Sequence, residues 1–373
     1  MGCRDRCVDE TTSDVTGPVV DVIIPVHTDR RPIARATASV LTSATVDVRV
    51  NVVCHNVETS TIEAALGPWG DHPGVRLLTL TDGVASPAGP INAGLDAATG
   101  EFTALLGSDD EYEQGAIDAW VMLARRDRAD IVIPPLRSAR GGRTKSPPTR
   151  PFRSRRLDGV RDRLAYRTVQ LGLVRRSMFA DLRMTSGLVS GEDVIQGATL
   201  WYSDASISLL RRGPGYLIHE DAPDQRVSST AKPAAESLRF LDAVLDRTFT
   251  ERLRDDQRRA FAVKLLRTHI MDILGACIRA GLRPSDLVPL AAGVERILEL
   301  DPGAIGLVSR REARILDGVR RGADPAELSA EHAAHTDYRR PAALLGNLLP
   351  NSPRRLLHRE APPRFLAATA LMP

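Results

Sequence analysis

The sequence predicts an α/β fold with a mainly parallel sheet, followed by an α-helical part. Three observations carry this expectation. Short β-branched runs alternate with stretches of helical apolar spacing in the first part of the chain. One of those runs ends abruptly in carboxylates, at Leu105, Leu106, Gly107, Ser108, Asp109, Asp110 and Glu111. After residue 231 the strand pattern stops and only helical periodicity is left.

The first strand is expected over Val19 to Val26, followed by a helix from Pro32 to Leu41. A second strand follows at Val48 to Val53 and a shorter third at Val75 to Leu80. The segment Ala88 to Phe102 then reads as a small-residue helix, a glycine stop and the strand that leads to Asp109. Strands alternating with helices imply parallel pairing, and parallel sheets place ligands beyond the carboxyl ends of their strands. Asp109 falls at such an end. Paired carboxylates there repel each other unless a cation or a set of N–H donors answers them, so Mg²⁺ or Mn²⁺ with oxygen ligands is one expectation. A solvated acidic turn or a helix cap is the structural alternative. Downstream, Gly191, Glu192 and Asp193 open a helical stretch from Val194 to Trp201, and His219 follows another apolar strand and a Gly/Pro turn.

Taken in order, these segments resemble a family 2 glycosyltransferase of the GT-A fold over residues 19 to 228. The run Val22 to His27 is similar to that family's opening strand and loop. Gly83 through Asp110 follows its segment of glycine, asparagine, A-x-G-E and acidic motif. The resemblance implies a nucleotide-sugar donor lying along Pro25, Val26, His27, His55, Asn56, Asp82, Asn92, Ser108, Asp109 and Asp110. It implies a divalent cation, Mn²⁺ or Mg²⁺, held by Asp109 with His219, and a general base at Asp193 beside Glu192. The chemistry fits the residue types: a carboxylate within reach of a sugar hydroxyl accepts its proton, and a cation offsets the charge of the departing diphosphate. Transfer with inversion is the implied outcome. The alternative role for Glu192 and Asp193 is to favour a helix N-terminus through its dipole.

The chain departs from the family pattern in three places. Cys54, His55, Asn56 and Val57 stand where the family has two aspartates, Gly and Ser. Gly107 replaces the first aspartate of D-x-D, and Ile91 replaces an arginine before Asn92. These departures motivate an alternative function, a non-catalytic GT-A module that binds a nucleotide or glycan. A nucleotidyltransferase would need a glycine-rich basic loop after the first strand, and His27 to Pro32 has no glycine.

Residues 137 to 163 carry Arg137, Arg140, Arg143, Lys145, Arg150, Arg153, Arg155, Arg156, Arg161 and Arg163 against Asp158 and Asp162 alone. The expectation is a long basic loop, open to solvent, to a diphosphate or anionic acceptor, or to an anionic membrane surface. Nucleic acid is not expected, because the run lacks interleaved aromatics and the formal net charge is +3.

Helices are expected over Ala234 to Leu245, Glu251 to Ala280, Leu287 to Leu300 and Ser309 to Gly322. The division is a disordered segment at 1–18, a GT-A domain at 19–230, a helical domain at 231–337 and a basic, apolar tail at 338–373. The helical domain offers homo-oligomer formation or acceptor binding as roles, and the tail reads as partly ordered and packed on the body. His269 reads as a packing residue. No apolar run reaches the roughly 18 residues of a membrane span. The four cysteines, at 3, 7, 54 and 277, are too scattered for a zinc site or a disulfide framework. The expected setting is the cytoplasm or the inner face of the membrane, with a glycan or lipid-linked acceptor in cell-envelope or extracellular glycan synthesis.

Overall fold

The computed structural model describes residues 17–142, 149–167, 171–222, 232–337 and 341–370. Most of the N-terminal segment lies outside the described residues, as do Arg143 and Lys145 of the basic run and Arg339 and Arg340 of the tail.

Four parallel strands form the framework: β1 (Val20–Val26), β2 (Val48–His55), β3 (Val75–Leu80) and β4 (Phe102–Leu105). Their β-branched residues suit a sheet buried on both faces, and β1 is covered along almost its whole length. Helices α1 (Ile33–Leu41), α2 (Thr59–Leu66) and α3 (Ala88–Ala97) make the crossovers. At Gly94 of α3 a side chain would run into Ile23 of β1, so the glycine lets helix and sheet approach closely.

Beyond β4 come β5 (Glu111–Tyr112), α4 (Ala116–Asp127), β6 (Ile131–Ile133), β7 (Leu136–Ser138) and β8 (Leu173–Arg175). They are followed by α5 (Val194–Tyr202), β9 (Ile207–Leu209) and β10 (Tyr216–Ile218). The seven-stranded sheet runs in the order β3-β2-β1-β4-β8-β6-β9, with β8 antiparallel to both neighbours. A second sheet, β5-β10-β7, packs beside the acidic end of β4. Strand order reverses between β1 and β4, which makes the crevice beyond those two strands the expected ligand position.

The opposite, N-terminal end of β1 is tied by Asp21, a fully buried carboxylate. Burial works to raise its pKa, but bonds from Arg49 (2.8 Å), Asn51 (2.7 Å) and the N–H groups of Gly100 and Thr99 (2.7 Å each) outweigh it and hold the group ionised.

The helical part comprises α6 (Ala234–Ser237), α7 (Phe240–Val244), α8 (Arg247–Thr250), α9 (Asp255–Lys264), α10 (Met271–Arg279), α11 (Pro284–Leu300), α12 (Arg310–Arg320) and α13 (Pro325–Thr336). The helix expected over Ala234 to Leu245 is broken into α6 and α7, with Phe240 turned onto Gly191. Between α9 and α10 the backbone takes a π-helical turn, Leu265–Ile270. Ser309 opens α12 with a capping box, donating partners being Glu312 N–H to Ser309 Oγ (3.0 Å) and Ser309 N–H to Glu312 Oε2 (2.6 Å). One apolar core joins these helices to Val194, Ala198 and Tyr202 of α5.

The tail contains α14 (Pro341–Leu348) and α15 (Pro362–Ala370), each opened by proline, which suits a first helical turn. It docks through Glu360, buried beside Arg163, Arg267 and the Tyr166 hydroxyl, which donates to Glu360 Oε2 at 3.0 Å. Among the described residues no helix is long and apolar enough to cross a membrane.

Candidate active site

The carboxyl ends of β1 to β4 bring four separate segments to one edge. Val26 is the last residue of β1 and is buried in the core with its side chain, so it can offer a ligand only backbone; Pro25 before it is half-buried, and His27 beyond it is exposed. Arg31, four residues past His27, donates to Asp109 Oδ2 at 2.6 Å, across the β1/β4 crevice. Both side chains are buried, at 6 % and 8 % exposure. Arg35, one turn further along α1, donates to the Asp109 carbonyl and to Asp221 at 2.6 Å. The guanidinium beside Asp221 holds that carboxyl down at about 2.

Asp110 faces the second sheet. Tyr216 Oη donates to its Oδ2 at 2.6 Å and the His219 N–H to its Oδ1 at 2.8 Å, so both carboxylate oxygens serve the fold. The same Tyr216 oxygen accepts the Gly107 N–H at 3.0 Å. This explains the missing first aspartate of the motif: a Cβ at Gly107 would stand 2.7 Å from Asp110 Oδ2. Ser108 is buried between them. His219 turns its imidazole to Glu111 at 2.5 Å and to Asp221 at 3.8 Å. Among the described residues no three His, Cys, Asp or Glu side chains converge as a ready-made metal cage.

At the ends of β2 and β3 a second cluster forms. His55 Nε2 lies 2.8 Å from Asp82 Oδ1, and the Asn56 side-chain oxygen accepts the N–H groups of Asp82 (3.1 Å) and Gly83 (2.9 Å). Asn56 adopts φ 53°, a left-handed conformation that asparagine tolerates better than most residues. The Val84 N–H and then His55 hold the Asp82 carboxyl below its ordinary value. A carboxylate therefore stands at this corner after all, supplied by β3 instead of β2.

Asn92 is committed to a loop. Its amide donates to the Met184 carbonyl at 2.9 Å and accepts the Met184 N–H at 2.8 Å. That ties the segment leading to Glu192 and Asp193 against α3, whose start lies at the same edge of the sheet. Asp193 occupies the N-cap position of α5, yet its side chain makes no capping bond. Burial raises the Glu192 carboxyl, and the Asp193 charge adds to that shift.

Arg31, Arg35 and Tyr216 also lie at this edge and were not singled out in the sequence. The described arginines of the basic run have acidic partners. Arg150 pairs with Asp162 (2.6 Å), Arg155 with Asp127 (2.9 Å), Arg140 with Glu220 (3.3 Å), Arg137 with Glu113 and Arg163 with Glu360 (3.9 Å). Much of that positive charge is thus answered by distant acids.

The carboxyl ends of β1 to β4 thus carry the Arg31–Asp109 pair and the His55–Asn56–Asp82 cluster. Residues 21–183 match the model of glycosyl transferase family 2. None of the curated proteins matches it. Among solved structures it is similar to S. aureus TarS 1-349 in complex with UDP-GlcNAc, with TM-score 0.71 and 16% identity over 85% of this chain and 91% of that one. The same fragment in complex with UDP gives 0.68 and 14% over 85% and 90%. S. aureus TarS gives 0.68 and 15%, and there the match covers 55% of its chain. These likenesses establish the GT-A fold with a helical C-terminal part.

Proposed function

We propose that this chain transfers a sugar from a nucleoside-diphosphate donor to an acceptor hydroxyl with inversion, in cell-envelope glycan synthesis. The observation that carries the proposal is the β1/β4 crevice, where Arg31 and Asp109 meet at the point of strand reversal while Asn92 draws the Asp193 loop to the same edge. TarS binding UDP-GlcNAc and UDP supports a nucleotide-sugar donor of this kind. His55, Asn56 and Asp82 offer the base both donors and acceptors. Arg31 and Arg35 face the diphosphate with charge that suits its oxygens.

The donor set fits a divalent cation that arrives with the diphosphate, because Mg²⁺ or Mn²⁺ on a nucleotide takes one or two carboxylates and completes its shell with phosphate and water. Asp109 would hold it, and His219 would join only by leaving Glu111. When bound, the cation supplies Lewis-acid charge against the departing diphosphate. Asp193 accepts the proton of the attacking hydroxyl as the new bond forms on the opposite face of the sugar, which gives inversion in one displacement. Asp193→Asn should lower turnover by about 10²- to 10⁴-fold with donor affinity unchanged. Wild-type turnover in that variant would remove Asp193 from the mechanism.

The acceptor reading is a glycan or lipid-linked hydroxyl, with peripheral contact to an anionic membrane. The tail supports it. Leu344, Leu345, Leu356, Leu357 and Leu366 are all exposed, Leu357 at 81 %, among Arg354, Arg359 and Arg364. Glu360, the one acid of the described tail, is buried. Exposed leucines beside arginines suit an anionic lipid surface.

A further inference from the structure

One turn of the basic segment holds a phenylalanine out in solvent. Pro151 and Phe152 are the two central residues of a turn closed by the Arg153 N–H on the Arg150 carbonyl at 3.3 Å. Proline suits the first of those positions, and Phe152 takes φ 60° at the second, where a positive φ ordinarily calls for glycine or asparagine. The Phe152 side chain is fully exposed, at 100 %. A bulky residue in the left-handed region raises the backbone energy, and a ring left in water recovers nothing by burial. Within this chain alone, glycine would serve the turn better on both counts.

The turn is firmly held. Arg211 Nη2 donates to the carbonyls of Arg150 (3.1 Å) and Arg153 (2.6 Å) and to Thr149 Oγ1 (3.3 Å). The Arg150 guanidinium is fixed in its turn by bonds of 2.9 and 2.6 Å to Asp162, and the Leu209 N–H of β9 binds the Ser154 carbonyl at 2.8 Å. Around the ring the surface is basic. Arg153, Arg155 and Arg156 are exposed, and among the described residues no acid pairs with Arg153 or Arg156. Arg155 and Arg126 both meet Asp127 at 2.9 Å, but the Asp127 side chain is 1 % exposed beneath two arginines that are each more than half exposed. The acid is thus hidden and the cations face outward. Met122, one turn before Arg126 on α4, is exposed as well.

We propose that the Phe152 turn is a membrane-inserting tip, its ring entering the acyl boundary of an anionic bilayer while Arg153, Arg155 and Arg156 lie on the lipid phosphates. The chemistry selects this partner: a ring on a projecting tip buries itself only in a medium that closes around it, and the arginines beside it call for anions. The proposal rests on the peripheral membrane contact argued above for the tail, to which it adds a second anchor. Residues 149–167 link the two, since Arg163 Nη2 donates to the Arg359 carbonyl at 2.5 Å and Tyr166 Oη to Glu360 at 3.0 Å. Two weak anchors on one body hold far more firmly than either alone, and together they fix which face of the protein meets the lipid.

The test is Phe152→Gly in the full chain, with Phe152→Trp as the rescue. Flotation with vesicles of phosphatidylglycerol and phosphatidylcholine, and with phosphatidylcholine alone, reads the partition. Losing the ring should weaken binding to the anionic vesicles about tenfold, and tryptophan should restore it. Because glycine suits φ 60°, Phe152→Gly should melt at or above the wild-type temperature. A lower melting temperature would mean that the ring supports the fold, and overturns the proposal. Wild-type affinity of folded Phe152→Gly for anionic vesicles overturns it too, while leaving the contact of the tail standing. A wild-type protein that ignores anionic vesicles, or binds neutral ones equally, overturns both. Sedimentation equilibrium covers the other occupant: a wild-type dimer that Phe152→Gly turns into a monomer would assign the tip to a second copy of this chain and overturn the lipid partner.

Discussion

The Arg31–Asp109 pair gives the sharpest stability prediction. Its N···O distance is 2.6 Å with both side chains nearly closed to water. Two unit charges about 4 Å apart at an effective dielectric constant of 20 attract by about 4 kcal/mol. Removing one partner also leaves the other charge stranded, and the usual cost of doing so is about 3–5 kcal/mol. Arg31→Met should therefore lower unfolding free energy by about 3 kcal/mol in urea, and Asp109→Leu by a similar amount. The double variant should cost far less than the sum, because no buried charge is then left without a partner. The measurement is a double-mutant cycle on equilibrium unfolding, followed by fluorescence and far-UV dichroism to check that the transitions coincide. A coupling energy below about 0.5 kcal/mol would refute the reasoning, since sites that far apart in effect simply add.

Restoring the family's aspartate with Gly107→Asp should destabilise the protein by about 1–3 kcal/mol, as its Cβ meets the Asp110 carboxylate that Tyr216 and His219 hold; thermal unfolding reads this directly. Acid should weaken the fold before the carboxylates titrate. Burial holds His269 and His332 below their ordinary values and His358 down at about 4, so their contribution is full above about pH 6.5 and is lost as pH falls toward those lowered values. Urea midpoints between pH 7 and 4.5 should fall steadily, and less steeply in His358→Gln; identical slopes would remove His358 from the account. Leu356→Ser with Leu357→Ser should abolish co-sedimentation with vesicles containing anionic lipid while leaving the melting temperature unchanged, and equal binding to neutral vesicles would argue against charge as the partner of the tail.

What was legible in the sequence follows from physical range. Strands β1 to β4 were readable because β-branched runs of four to eight residues, spaced by helical stretches, leave few other folds. The helix expected from Ser309 does begin there, as apolar spacing gave it, and the Ser309–Glu312 capping box fixes its start. The antiparallel entry of β8 and the small sheet β5-β10-β7 were not readable, since strands of two or three residues carry no period. Range decided the site as well. Asp109 stood out by its neighbours, whereas Arg31 acquires meaning only from a partner 78 positions away. The basic run was read from the acids inside it, and Asp127, Glu113, Glu220 and Glu360 reach it through the fold. In the tail, Pro341 and Pro362 sit where short helices start, a position that proline suits. His269, read as packing, does pack on Phe240 and also receives Lys264.

The central claim is that the β1/β4 crevice holds a sugar nucleotide. Calorimetric titration with UDP, GDP, dTDP, CDP and ADP, each with and without Mn²⁺, tests it most directly. The account predicts that one nucleotide binds with clear preference, that Mn²⁺ tightens it, and that Asp109→Ala removes the tightening. No binding of any nucleotide to the folded protein would contradict it and would leave the chain without the donor site its fold provides for.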